Sequence, residues 1–112
     1  MKIGENTTDK RLQHEFDKLN ERFFNNRIAH ISARFEDIEP DGMYSVITKE
    51  IVIDSKLRRH FSLVCVVLLH EMAHANLDCL GYRGYPEDGG HGMLYQAELA
   101  RLFQAGCYDG LL

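Results

Sequence analysis

Near the start of the chain, apolar residues recur at helical spacing. Leu12, Phe16, Leu19 and Phe23 are separated by four, three and four positions, one stripe on a helix expected to begin at Thr8 or Asp9. Asn25-Asn26 should end it, with Lys10, Gln13, Asp17, Lys18 and Glu21 on the water-facing side. The period then changes. Ile31, Ala33 and Phe35 alternate with Ser32 and Arg34, so residues 28–35 read as a half-buried strand. The acidic stretch 36–41, with Pro40, Asp41 and Gly42 at its end, reads as an exposed turn, because the ligand spacing of an EF-hand loop is missing. Residues 43–46 and 50–53 are both β-rich, and only Ile47, Thr48 and Lys49 separate them, which predicts a hairpin.

Residues 63–69 are apolar on every side, as in a helix buried in the middle of a domain. The valines there would also suit a strand, but the segment continues to Leu77 without a breaker, too long for a typical strand. Ser62 is the expected N-cap. A glycine-rich loop is expected over 78–90, and a last helix over 93–104 on Leu94, Leu99, Leu102 and Phe103, with Gly106 as its stop. The expected fold class is therefore α+β. A small three-stranded sheet packs with three main helices, the central one buried, in a single domain over residues 1–112.

Composition narrows the class. With 45% hydrophobic and 27% charged residues, neither disorder nor membrane insertion is favoured. The longest apolar run is far short of the roughly 20 residues a spanning helix needs. The first residues lack the apolar core of a signal peptide, so the expected compartment is the cytoplasm. A net charge of −4 argues against a broad basic surface, and Lys56, Arg58 and Arg59 read as a solvated connection. Contact with DNA would then be indirect or weak. Cys65, Cys79 and Cys107 are widely spaced and odd in number, which suggests neither a disulfide framework nor a cysteine-based zinc site.

The chemistry concentrates in His70-Glu71-Met72-Ala73-His74, an H-E-x-x-H within the long helix. Two histidines four residues apart project from one helix face, and the intervening glutamate can reach a water held there. This is the zinc-hydrolase arrangement, and it needs a third protein ligand. Asp78, Glu87, Asp88, His91 and Glu98 are the candidates. The metzincin pattern would place Gly at position 77 and His at position 80, where the chain has Leu77 and Leu80, so that class is excluded. A carboxylate from the following helix points to Glu98, whereas an imidazole after the glycine-rich loop points to His91, which sits between Gly90 and Gly92. On these residues alone the choice stays open. Tyr82, Tyr85 and Tyr95 are candidate donors to a developing oxyanion.

Three segments, in order, resemble the SprT-like (Spartan-like) zinc metalloproteases. Residues 12–28, from Leu12-Gln13-His14-Glu15-Phe16 to Asn25-Asn26-Arg27-Ile28, are similar to the opening helix and turn of that family. Leu68-Leu69-His70-Glu71-Met72-Ala73-His74-Ala75 is similar to its zinc helix, and Gly90-His91-Gly92 to the step that supplies its third histidine. The resemblance implies a zincin-like domain with Zn2+ on His70, His74 and His91. It also implies peptidase activity with Glu71 as general base, on protein or peptide substrates that include DNA-associated proteins. No C-x-x-C pair is present, so the zinc ribbon of many relatives is not expected. Two other readings compete with this one. The first is a non-catalytic zinc-binding adaptor or inhibitor of the same fold, against which the intact Glu71 speaks. The second is a different zincin hydrolase with Glu98 as ligand.

Overall fold

The structure, a computed structural model, describes residues 3–81 and 92–109, with side chains from Lys10 onward. Helix α1 (Ile3–Phe24) buries Leu12, Phe16, Leu19 and Phe23, the stripe that the spacing predicts, and it begins earlier than Thr8. Asn25 and Asn26 end it in left-handed conformations, φ 52° and 59°, which asparagine tolerates better than most residues. The strand expected from residue 28 starts only at Ser32. Three turn bonds, Arg27 N–H to Phe24 C=O, Ala29 N–H to Asn26 C=O and Ile31 N–H to Ile28 C=O, hold the chain coiled until then. Ile28 and Ile31 still enter the core, but at turn spacing rather than strand spacing.

Strands β1 (Ser32–Glu36), β2 (Gly42–Ser45) and β3 (Glu50–Asp54) form one mixed sheet in the order β1-β3-β2. β1 runs parallel to β3, and β2 antiparallel to it through the expected hairpin. Lys49 closes that turn at φ 58°, with its N–H bonded to the Ser45 carbonyl. One face of the sheet carries Ala33, Phe35, Ile51 and Ile53 into the common core with Leu68, Leu69 and Met72. Burying each of the larger side chains contributes about 1.5–3 kcal/mol, so this shared core is the main cohesive element.

A single 3-10 turn (Ser55–Leu57), capped by the Asp54 carboxylate, leads into α2 (Phe61–Cys79). Helix α3 (Met93–Gln104) packs against α2. Gly106 follows α3 at φ 87°, the left-handed stop its position predicts. Two expectations are corrected here. Ser62 is not the cap of α2: the helix starts at Phe61 with His60 before it and no side-chain cap. Helix α3 buries Tyr95, Glu98 and Leu102, whereas Leu94 and Phe103 are 41% and 65% exposed. Its inward face is rotated because a charged residue, Glu98, has polar partners inside. Among the described residues three helices and three strands make an α+β fold, and no helix among them is long and apolar enough to cross a membrane.

Candidate metal centre

Helix α2 buries Val64, Cys65, Leu68, Leu69, Met72, Ala73, Ala75, Asn76 and Leu77. It is not buried all round. Leu63 is 51% exposed, His70 is exposed, and Val66, Val67, Glu71 and His74 are half-buried. The expectation of a fully buried helix is thus corrected, with a physical reason: two imidazoles and a carboxylate would lose too much hydration in an apolar interior. They occupy an accessible side of the helix. His70 and His74, one turn apart, share a face.

Strand β2 and helix α3 shape the surroundings of the motif. Glu71 stands against the start of β2, close to Gly42, and burial pushes its carboxyl up to about 7. A carboxyl titrating there is matched to proton transfer at neutral pH. From α3, the Tyr95 ring stacks on His74 with centroids 4.1 Å apart and planes 19° from parallel. The Tyr95 hydroxyl donates to the His70 carbonyl at 3.2 Å. Tyr95 is 2% exposed, so it supports both histidine positions from within rather than facing a substrate. Burial, the largest cause, and the nearby Glu71 charge both raise its phenol further and keep it a neutral donor.

The third-ligand candidates divide cleanly. Asp78 accepts from the Tyr44 hydroxyl at 2.6 Å and the Lys49 ammonium at 2.7 Å, which ties the β2–β3 hairpin to the end of α2. Glu98 is 7% exposed and accepts from Asn76 at 2.7 Å and twice from Arg101 at 2.8 Å. Asn76 in turn accepts from Arg27, and Arg101 donates to the Phe23 carbonyl. Both carboxylates are therefore committed to holding elements together. Glu87, Asp88 and His91, with Tyr82 and Tyr85, lie outside the described residues. Among the described residues no group of three His, Cys, Asp or Glu side chains is placed to hold a metal ion. Two imidazoles one turn apart with a carboxyl beside them are nonetheless part of the donor set zinc takes, which calls for one more protein ligand.

Three residues outside the motif matter here. Gly42 stands against Glu71, and Asn76 and Arg101 tie the motif helix to α3 and α3 to α1, and none carries a sequence pattern that announces the role. Asn76 offers the nearest signal, a carboxamide two positions after His74 in an otherwise apolar turn. A separate cavity of about 490 Å³ opens at the carboxyl ends of β1 and β3, lined by Arg34, Phe35, Glu36, Asp37, Ser55 and Arg58. None of His70, Glu71 and His74 lines it, and its two cations are offset by two acids. Comparison with protein-family models, with curated proteins and with solved structures finds no match to this chain.

Proposed function

We propose that this chain is a zinc-dependent endopeptidase of the SprT-like, zincin-like type, with His70, His74 and His91 holding the metal and Glu71 acting as general base. The observation that carries the reading is the environment of Glu71: a half-buried carboxyl, raised to about 7, one position after the first of two histidines on one face of α2. Zinc bound by the three histidines would supply a Lewis acid that acidifies a water and polarises the scissile carbonyl.

The remaining steps belong to this chain's own groups. Glu71 takes the proton of the attacking water and passes it to the departing amine nitrogen. Tyr95 holds the His74 ring in place through stacking. An extended substrate segment adds along β2, an edge of the sheet that packs on α2. The other edge is less suited, since the Gln13 side chain of α1 already takes the Ala33 N–H of β1. Main-chain pairing along β2 reads backbone more than side chains, so weak sequence preference follows. DNA-associated proteins are the substrate class the family resemblance favours, and with a net charge of −4 a partner would bring them.

The test is cleavage of an unfolded protein such as casein by zinc-loaded chain, with and without single-stranded DNA, read by mass spectrometry of the new termini. Cleavage that chelation abolishes and zinc restores is expected. Stoichiometric zinc with no cleavage under any condition would replace the peptidase by the adaptor reading.

A further inference from the structure

β2 lies along α2 with alternate residues facing it. Gly42 and Tyr44 pair with Ile53 and Ile51, both fully buried, whereas Met43 between them is 43% exposed. Tyr44 reaches Asp78 at the far end of the helix, and Gly42 meets the helix at Val67 and Glu71. A Cβ on residue 42 would stand 2.6 Å from Val67 Cγ1, 3.3 Å from Glu71 Cγ and 3.4 Å from Ile53 Cδ1. The first distance is one that real Cβ atoms essentially never show, and the second is tight. Backbone conformation does not demand glycine here, because the positive-φ glycines among the described residues are Gly81 and Gly106. What demands it is room. Val67 is β-branched and held to essentially one rotamer in a helix, so it cannot swing aside cheaply. A side chain at 42 would push β2 off the helix or displace the stem of Glu71.

We propose that Gly42 is a positioning residue for Glu71. Its bare Cα lets the main chain of β2 close on the stem of the glutamate, which fixes where the carboxyl stands relative to an extended chain lying along the same strand. The proposal rests on the peptidase reading. It adds to that reading a residue that acts through the base and touches neither metal nor substrate. Positioning errors well under 1 Å matter at this step, since near-attack geometry is steep in distance.

The test uses the full chain as Gly42→Ala, Val67→Ala and the double variant, comparing Tm, zinc affinity, KM and kcat on casein. Val67→Ala removes the atom 2.6 Å from the new methyl but leaves the approach to Glu71. The double variant should recover most of the Tm lost in Gly42→Ala and keep wild-type zinc affinity. Its kcat should remain about tenfold below that of Val67→Ala, with KM within about twofold. Recovery of kcat together with Tm would reduce Gly42 to a packing residue and overturn the proposal. A second readout does not depend on hydrolysis. In metal-free protein, the Tm loss from Gly42→Ala should be smaller in a Glu71→Ala background than in wild type. Equal losses in the two backgrounds would overturn the proposal even if the chain proves not to be a peptidase.

Discussion

Glu71→Gln should lower casein cleavage by at least about 10²- to 10⁴-fold, the usual contribution of a positioned general base, while zinc content stays at the wild-type level. The amide keeps the size and burial of the side chain but cannot accept the proton of the attacking water. The same substitution should stabilise the metal-free protein at alkaline pH, and the sign follows from burial. The folded carboxyl sits at about 7, above its ordinary 4.5, so between those values the folded chain binds more protons than the unfolded one. The stability associated with the protonated form is fully present below about 4.5 and is lost as pH rises through about 7. Above that, wild type carries a partly desolvated charge that glutamine does not. A separation of this size corresponds to at most about 3 kcal/mol, and partial exposure lowers it to about 1–2 kcal/mol. Unfolding of metal-free wild type and Glu71→Gln, at pH 5 and pH 8.5, should therefore show most of the variant's advantage at the higher pH. Equal stability at both values would mean that the carboxyl is not buried as described, and full activity in the variant would remove Glu71 from the mechanism.

The second large effect lies away from the reacting groups. Glu98→Ala should destabilise the chain by about 3 kcal/mol and lower Tm by about 15 °C. The carboxylate is 7% exposed and takes three hydrogen bonds, one from Asn76 on α2 and two from Arg101 on α3, and Arg101 also reaches the Phe23 carbonyl at the end of α1. Glu98 and its partner Arg101 thus link three helices. Removing Glu98 strands the buried Asn76 amide and frees a guanidinium whose protonated form is favoured first of all by its hydrogen bonds to Glu98. Arg101 is half-exposed, which keeps the cost near the lower end for a broken buried pair. Thermal unfolding measures the loss, and zinc content should not change in Glu98→Gln. Loss of zinc at unchanged Tm would return Glu98 to the role of metal ligand.

Particular residues show what the sequence made legible. The Leu12, Phe16, Leu19, Phe23 stripe was visible because all four sink into one core from one helix, and local spacing alone determines that face. H-E-x-x-H was visible for the same reason, since the two histidines depend only on the pitch of α2. The hairpin could be read from its two short β-rich runs. Features that depend on distant partners could not be read this way. The buried face of α3 contains Glu98, which an apolar count assigns to water and which only Asn76 and Arg101 make tolerable inside. The turn at 28–31 reads as strand because it runs into the alternation of Ile31, Ala33 and Phe35 with Ser32 and Arg34, while the left-handed Asn25-Asn26 pair and its turn bonds decide the backbone. Gly42 gave no sign at all. Its importance lies in a side chain it lacks, opposite a helix residue that is 29 positions later for Glu71 and 25 for Val67.

Zinc on α2 is the premise from which the rest proceeds, and X-ray absorption on the zinc-loaded full chain tests it most directly. One zinc per chain is expected, with the scattering of three imidazole nitrogens, and His91→Ala should lose one imidazole and most of the metal affinity. An unchanged spectrum and full occupancy in His91→Ala would contradict the three-histidine site, as would a wild-type chain that retains no zinc.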